Sequence, residues 1–198
     1  MSQPQLILAS GSPRRRQLLE EAGYRFEVLA AREGVEPAVG GDARELVAAS
    51  ARLKGFDVAE QLSSAPRVVL AADTVAEVDG QPIGKPADAP HAAAMMRRLS
   101  GRQHRVLTGV WLRDASGAVT EEIVETSLAM DELTDQWIED YVRSEKWRGK
   151  AGGFGYQDGL GFVRVVQGSE SNVVGLPMEH VAVLLASVGC EPTSPNNT

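Results

Sequence analysis

The chain contains a single cysteine, Cys190, among its 198 residues. One cysteine excludes an intramolecular disulfide and a metal site built from clustered cysteines, and it suggests a reducing compartment. The sequence has no run of about twenty apolar residues, so it predicts no membrane span. Residues 1–4 carry no basic region, and the apolar run after them is too short for a signal peptide. We therefore expect a cytoplasmic protein.

Positive charge is also scarce, because 20 Lys and Arg residues stand against 27 Asp and Glu residues, for a formal net charge of −7. A general nucleic-acid-binding protein would carry a basic surplus, so we expect no nucleic-acid partner and only a local anion site. The Gly-x4-Gly-Lys-Ser/Thr pattern of P-loop proteins is missing. His91, His104 and His180 share no metal-ligand spacing, and we interpret them as surface or structural residues.

The composition is that of a globular protein, with 43% hydrophobic and 24% charged residues. The length fits one domain or two closely joined lobes. Apolar runs alternate with helical patterns early and pair as hairpins later, which predicts an α/β fold with a mixed sheet. The predicted strands are residues 6–9, 26–29, 67–78, 81–83, 105–113, 119–130 and 162–166. The predicted helices are residues 13–22, 43–62, 88–99, 134–143 and 177–188, and loops are predicted for residues 33–42 and 149–161.

The chain is organised around the stretch Leu6-Ile-Leu-Ala-Ser-Gly-Ser-Pro-Arg-Arg-Arg16. An apolar strand ends there, Ser12 is the predicted N-cap of a helix, and Pro13 suits the first helical position. Three arginines follow in the first turn, where each opposes the helix dipole by about 0.3–1 kcal/mol when exposed. A phosphate bound by backbone amides and arginines would make this charge favourable. The alternative is that the three arginines extend into water.

Asp73 interrupts the most apolar strand of the sequence, Val-Val-Leu-Ala-Ala-Asp-Thr-Val. A buried carboxylate is costly without a partner, so Asp73 needs a cation, hydrogen bonds or a position at the open end of the strand. We interpret it as a metal ligand or a general base; the alternative is an aspartate satisfied by a neighbouring turn. Thr74 beside it could orient a ligand.

Two lysines could add to the charge of the arginines. Lys54 lies on the second predicted helix, and Lys85 lies between a glycine and a proline, a constrained setting that would aim its ammonium at one place. Either lysine alone is typical of a solvated surface. Together with Arg14 and Arg15 they would supply the positive charge that a triphosphate requires.

Acidic and amide side chains could complete the site. Glu33 and Glu36, in the loop after the second strand, could join Asp73 around Mg²⁺, which takes few carboxylates together with phosphate oxygens and waters. Residues 149–161 include six glycines, which permit close approach to a flat ligand, and the amide of Gln157 could read the edge of a base. The alternatives are a solvated acidic loop and a flexible glycine loop.

Several separated motifs, in this order, resemble those of the Maf family of nucleoside triphosphate pyrophosphatases, over about residues 5–188. They are Leu8-Ala-Ser-Gly-Ser-Pro-Arg-Arg15, Ala72-Asp-Thr74, Gly84-Lys-Pro86, Leu99-Ser-Gly101, Lys150-Ala-Gly152 with Gln157, and Val174-Gly-Leu-Pro177. The resemblance implies a fold like that of inosine triphosphate pyrophosphatases, with a long bent mixed sheet flanked by helices and a substrate cleft between two lobes. We expect one such domain over residues 1–190 and a frayed polar tail over residues 191–198.

The resemblance also implies a reaction, hydrolysis of a nucleoside triphosphate to the monophosphate and pyrophosphate with a divalent metal, Mg²⁺ or Mn²⁺. It makes Asp73 the proton acceptor for the attacking water and a metal-site residue together with Glu36. The side chains that match phosphate-binding positions are Ser10, Arg14, Arg15, Lys54 and Lys85.

Three positions, Arg14, Thr74 and Gln157, resemble the branch of the family that acts on dTTP and UTP rather than the branch that acts on 7-methyl-GTP. The implied role is removal of unwanted nucleotides, modified pyrimidine triphosphates among them, and homodimers are common in the family. Three other readings stay open: a regulator of cell division that senses nucleotides without catalysis, a pyrophosphatase that prefers 7-methyl-GTP, and a phosphatase that removes phosphates one at a time.

Overall fold

The computed structural model describes residues 4–35, 37, 41–62, 66–159 and 161–193. The strands within these ranges are β1 (Gln5–Leu8), β2 (Phe26–Val28), β3 (Arg67–Val78), β4 (Gln81–Ile83), β5 (Gln103–Arg113), β6 (Val119–Met130) and β7 (Val163–Gln167). The α-helices are α1 (Pro13–Glu21), α2 (Ala43–Gln61), α3 (Ala89–Leu99), α4 (Asp135–Arg143), α5 (Glu170–Val174) and α6 (Met178–Ser187). None of the helices described is both long and apolar enough to cross a bilayer.

The strands form one mixed sheet in the order β2-β1-β3-β5-β6-β7, with β4 paired to β3 outside this path. β1 runs parallel to both β2 and β3, while β3, β5, β6 and β7 pair antiparallel. The parallel part follows from the helical crossovers early in the chain, and the antiparallel part from the later hairpins. The predicted α/β class with a mixed sheet flanked by helices is confirmed.

The long strand β3 is paired on one edge by two different short strands. β1 runs beside its first part, as far as the pairing of Leu8 with Leu70. β4 pairs with its last part, beginning where Ile83 meets Ala76. Asp73 and Thr74 lie on the stretch of β3 between these two pairings, while β5 pairs continuously along the other edge. The edge of β3 beside Asp73 is thus paired with neither β1 nor β4, although Asp73 lies in the middle of an apolar strand.

Separate apolar clusters support the two ends of β3. Near its start, one cluster packs around Leu70 with α1 and α6, and another packs around Trp111 with α2. Near its end, a third cluster packs around Val78 with α3 and α4. Burial of each large apolar side chain in these clusters contributes about 1.5–3 kcal/mol, so both ends of β3 are firmly held.

Helix α2 approaches the sheet very closely at Gly55. A Cβ atom at this residue would lie 2.1 Å from the Cε3 atom of the buried Trp111 ring, so glycine is required for the approach. Lys54 precedes Gly55 in the helix and is brought close to β3 by this packing. The close approach explains how a helical lysine reaches a carboxylate in the middle of a strand.

Several details differ from the sequence predictions. Helix α5 was not predicted, because five residues are too few for a periodic signal, and residues 149–161, although irregular, contain two single-turn 3-10 helices. Thr193 donates both its N–H and its hydroxyl to the Gly23 carbonyl, each at 2.9 Å, so the described start of the tail is packed rather than frayed. Residues 194–198 lie outside the described part, and the limits 1–190 for the domain stay a prediction.

Candidate active site

A cleft of about 660 Å³ opens beside the stretch of β3 that lies between its pairing with β1 and its pairing with β4. One side, which we call the arginine wall, consists of residues 10–15 with Lys54, Asp73 and Thr74. A second part of the lining comes from the segment 149–159, which we call the glycine-rich wall and of which Gly149, Ala151 and residues 154–157 line the cleft. The predicted site residues that lie in the described ranges all line the cleft: Ser10, Arg14, Arg15, Lys54, Asp73, Thr74, Lys85 and Gln157. Glu36, the predicted metal-site residue, lies outside the described residues, whereas Glu33 lines the cleft.

Asp73 is paired with a lysine inside the cleft. Lys54 Nζ lies 2.7 Å from Asp73 Oδ1, and their side chains are only 14% and 22% exposed. A carboxylate in an apolar strand needs a partner, and here the partner is the ammonium of Lys54. The close packing of Gly55 on the sheet brings this lysine near. The contact fixes one carboxylate oxygen and holds the Asp73 side chain toward the cleft.

Arg15 is the most buried arginine of the arginine wall. The residue is 9% exposed, and its Nε donates to the Gly175 carbonyl at 2.8 Å. Its Nη1 donates to Ser10 Oγ at 3.2 Å and its Nη2 to Thr74 Oγ1 at 3.1 Å. The alternative in which all three arginines extend into water is therefore wrong for Arg15. Its charge stays beside the cleft because the protein itself fixes the guanidinium.

The other two arginines of the first turn differ from Arg15 and from each other. Arg14 is partly exposed and lines the cleft, whereas Arg16 is exposed and its Nε lies 2.7 Å from Glu20 Oε1 on the same helix. Ser12 is at the N-cap position as predicted, but its side chain makes no capping hydrogen bond. Its N–H instead donates to Ser10 Oγ at 3.2 Å. The start of α1 is thus shaped by Ser10.

The glycine-rich wall is held by turns and by a few side-chain contacts. Lys150 forms an ion pair with Asp158, and the exposed Gln157 precedes Asp158 on the short 3-10 helix Tyr156–Asp158. The Tyr156 hydroxyl donates to Glu170 Oε1 at 2.9 Å, and burial together with this carboxylate raises the pKa of Tyr156. These contacts tie the wall that carries Gln157 to α5.

Two loops complete the cleft. The loop after β2 is anchored by Asp57 of α2, which accepts from the Arg32 N–H at 2.8 Å, and this arginine lowers the pKa of the Asp57 carboxyl. The next residue in the loop is Glu33. The loop of Lys85 is joined to the glycine-rich wall because Gly152 N donates to the Gly84 carbonyl at 3.0 Å. Sequence reasoning missed Asp57, although its place on the buried face of a helix was a usable signal.

The donor set of the cleft suits a metal ion that is bound mainly through a substrate. Within the described ranges no group of three or more His, Cys, Asp or Glu side chains could hold a metal ion. Asp73 and Glu33 do place carboxylates on the cleft lining. Mg²⁺ commonly takes one or two carboxylates and completes its shell with phosphate oxygens and water, so these residues fit such an ion.

The fold and this cleft define an α/β protein that can bind a polyanion beside a fixed carboxylate. The chain belongs to the Maf family, because the sequence pattern of that family, described as Maf-like protein, matches residues 5–188. The resemblance found from separated motifs is thereby confirmed.

Known relatives agree with this assignment, and one solved structure shares the fold. The chain is 50% identical over 186 residues to a dTTP/UTP pyrophosphatase of Rhodopirellula baltica, an alignment that covers 91% of this chain and 80% of the relative. It is 42% identical over 190 residues to a dTTP/UTP pyrophosphatase of Anaeromyxobacter dehalogenans, covering 94% and 95%. A HAM1 protein of Coxiella burnetii has the same fold, with a TM-score of 0.52 at 15% identity over 93% of this chain and 99% of that chain.

Proposed function

We propose that the protein hydrolyses nucleoside triphosphates, with dTTP and UTP as the preferred substrates, to the monophosphate and pyrophosphate. The observation that carries the proposal is the Lys54–Asp73 pair in a cleft lined by arginines, within a chain whose net charge is −7. The printed activity of the relatives, dTTP/UTP pyrophosphatase, supports the same reaction and the same substrates.

Asp73 is the proposed proton acceptor. A water molecule attacks the α-phosphorus, and its proton passes to the Asp73 carboxylate as the new P–O bond forms. The bond between the α-phosphorus and the oxygen that bridges to the β-phosphorus breaks, and pyrophosphate leaves with the electron pair. Lys54, which contacts Oδ1 at 2.7 Å, orients the carboxylate for this transfer.

The cations of the cleft stabilise the charge that develops on the phosphates. Arg14 and Lys85 line the cleft with partly exposed and exposed side chains that can contact the β- and γ-phosphates. Arg15 Nη1 donates to Ser10 Oγ at 3.2 Å, and the two side chains form a fixed polar surface that can contact the phosphates. Donors that are already in position cost little reorganisation when charge moves to the leaving group.

A divalent cation, Mg²⁺ or Mn²⁺, is the proposed cofactor. Asp73 and Glu33 would hold it, together with Glu36 from the part of the loop outside the described residues. When bound, the cation neutralises phosphate charge. We further propose a cytoplasmic homodimer that removes unwanted pyrimidine nucleotides.

Replacement of one carboxylate oxygen tests the catalytic assignment. Asp73→Asn should lower the rate of pyrophosphate release from dTTP by about 10²–10⁴-fold, because an amide cannot take up the proton. Binding of a dTTP analogue with a methylene group in place of the α,β-bridging oxygen should change little. The matched control is Asp131→Asn, an exposed aspartate that also faces an arginine and lies outside the cleft lining.

Hydrolysis by Asp73→Asn at the parent rate would show that Asp73 is not the proton acceptor. Loss of analogue binding in this variant would assign the residue to substrate binding instead. Orthophosphate as the first product of the parent protein would exclude attack at the α-phosphorus and favour stepwise removal of phosphates.

A further inference from the structure

A buried amide side chain joins the short helix α5 to the sheet. Asn172 of α5 is 0% exposed. Its Nδ2 lies 3.3 Å from the carbonyl oxygens of Val106 and Val124 and 3.0 Å from Thr126 Oγ1. Val106 belongs to β5, whereas Val124 and Thr126 belong to β6. The amide nitrogen thus holds α5 against two neighbouring strands.

The three acceptors determine which way the amide points. A carbonyl oxygen can only accept, so the nitrogen of the amide faces Val106 and Val124. Asn172 Oδ1 points elsewhere and has no hydrogen-bond partner within the described part of the chain. A leucine of similar size would avoid this unsatisfied buried oxygen. Burial alone therefore does not explain an asparagine here, whereas the contacts of its nitrogen do.

Helix α5 depends on such contacts because it is only five residues long. Fixing a first helical turn costs more conformational entropy than its hydrogen bonds offset, so a helix of this length does not hold its own position. Ser169 caps α5, since its Oγ accepts from the Asn172 N–H at 3.3 Å, and the Ser169 N–H donates to Thr126 Oγ1 at 3.1 Å. The start of α5 is thus fixed on Thr126 through both Ser169 and Asn172.

The end of α5 carries an acceptor for Arg15. The Gly175 N–H donates to the Asn172 carbonyl at 3.0 Å, and the Gly175 carbonyl accepts from Arg15 Nε at 2.8 Å. Gly175 has a φ of 130°, which residues other than glycine rarely adopt, so the direction of this carbonyl is set by a specific turn. A shift of α5 away from the strands would carry the Gly175 carbonyl away from Arg15.

The orientation of the Arg15 guanidinium matters because its donors lie in one plane. A guanidinium binds phosphate oxygens through this rigid fork, so a rotation of the plane redirects all of its N–H groups together. With Nε on the Gly175 carbonyl, the two terminal nitrogens reach Ser10 and Thr74 on the cleft lining. The position of α5 therefore sets where the charge of Arg15 is presented.

We infer that Asn172 is a positioning residue for hydrolysis, which acts through the Gly175 carbonyl on the Arg15 guanidinium. The inference rests on the proposed function, in which Arg15 contacts the phosphates. It assigns a role to a buried amide that does not itself line the cleft.

The kinetic test replaces the amide in two backgrounds. Asn172→Leu should lower kcat/KM for dTTP by about tenfold in the parent protein, the effect of one lost buried hydrogen bond. In the Arg15→Lys variant the same substitution should change kcat/KM by less than about twofold, because a lysine ammonium lacks the planar fork that the Gly175 carbonyl orients. A general loss of folded protein would instead lower kcat/KM equally in both backgrounds.

The hydrogen bond of Arg15 can also be followed without any reaction. Its Nε–H gives a ¹⁵N NMR signal, which is assigned by its loss in Arg15→Lys. A proton in a buried hydrogen bond exchanges slowly with solvent. We expect this proton to exchange at least about tenfold faster in Asn172→Leu than in the parent, because its acceptor is no longer held in place.

Ser100→Ala is the matched control. It removes the hydroxyl oxygen that accepts from the Leu133 N–H at 2.7 Å, in a part of the protein that does not line the cleft. This variant should lower Tm while it keeps the parent values of kcat/KM and of Arg15 Nε–H exchange. If Asn172→Leu does not fold, Asn172→Ala removes the same amide without adding branched carbons beside the strands.

Parent kcat/KM in Asn172→Leu, equal losses of kcat/KM in the two backgrounds, or unchanged exchange of the Arg15 Nε–H would each overturn the inference. A parent protein that releases no pyrophosphate from any nucleoside triphosphate would refute the proposed function instead. The exchange measurement would then still decide whether Asn172 positions Arg15.

Discussion

The two walls of the cleft are built on different principles. The arginine wall is held by side chains, with Lys54 on Asp73 at 2.7 Å and Arg15 on the Gly175 carbonyl at 2.8 Å. The glycine-rich wall is held mainly by turns, and the ion pair between Lys150 and Asp158 stays within that wall. Charged side chains that line the cleft are therefore fixed by direct contacts in the arginine wall, whereas backbone turns determine most of the shape of the glycine-rich wall.

This difference suggests a division of labour. A reaction that moves negative charge onto a leaving group benefits from cations and a base whose positions are already set. Selection of a flat base benefits from a surface on which the backbone can come close. We therefore expect changes in the arginine wall to alter the rate of hydrolysis and changes near the glycine-rich wall to alter stability or substrate choice.

After Asp73→Asn, the largest effect is expected from Lys54→Met. The variant removes the cation that contacts Asp73 Oδ1 and keeps a long apolar side chain next to Gly55. We expect kcat/KM for dTTP to fall by about 10²–10³-fold, as when one preorganised electrostatic group of an active site is lost. Steady-state kinetics with pyrophosphate detection measures the change.

Lys146→Met is the matched control, since Lys146 is exposed and does not line the cleft. It should keep the parent rate. Near-parent activity of Lys54→Met would show that the Lys54–Asp73 pair is dispensable for hydrolysis. It would contradict the claim that fixed charges in the arginine wall determine the rate.

A pH-dependent loss of stability is expected from His104, which packs against the glycine-rich wall. His104 is 3% exposed, its ring packs edge-on against Phe154 of the glycine-rich wall at 5.6 Å, and burial lowers its pKa from 6.5 to about 4. In the unfolded chain His104 becomes protonated near pH 6.5, whereas in the folded protein it becomes protonated only near pH 4. The free energy of unfolding should therefore decrease by about 2 kcal/mol from His104 between about pH 7.5 and about pH 5.

Urea unfolding of the parent and of His104→Leu across this pH range measures the contribution, with the exposed His180→Gln as the control. The His104→Leu variant should lack this part of the acid destabilisation. An identical pH profile in parent and variant would contradict the assignment.

The smallest effect is expected within the arginine wall, where neighbouring arginines can be compared. Arg14→Ala should raise KM for dTTP by about tenfold, because a cation that we propose to contact the phosphates is lost. Arg16→Ala should change KM by less than about twofold, since Arg16 is exposed and pairs with Glu20. Equal effects of the two variants would mean that the general charge of the helix end, rather than Arg14, attracts the substrate.

Much of the arginine wall could be predicted from the sequence, because its chemistry violates ordinary folding preferences. Arginines at the start of α1 oppose the helix dipole, and Asp73 interrupts an apolar strand. Both features indicate function without any knowledge of the fold. The alternation of strands and helices, in the same way, predicted most elements to within a few residues.

The remaining features depend on contacts between distant parts of the chain. Arg15 meets the Gly175 carbonyl across 160 positions of sequence, and Thr108 meets Thr74 across 34 positions. No local pattern encodes such contacts. Lys54 could be named as a cation, but its partner became visible only through the close packing of Gly55 on Trp111. The glycine-rich wall was predicted only as irregular, since turns leave a weak signal of periodicity.

The site of water attack tests the central claim most directly. We would follow hydrolysis of dTTP by the parent protein in water labelled with ¹⁸O and analyse both products by mass spectrometry. Attack at the α-phosphorus beside Asp73 predicts one ¹⁸O atom in dTMP and none in the pyrophosphate. Label in the pyrophosphate, or orthophosphate as the first product, would contradict the account.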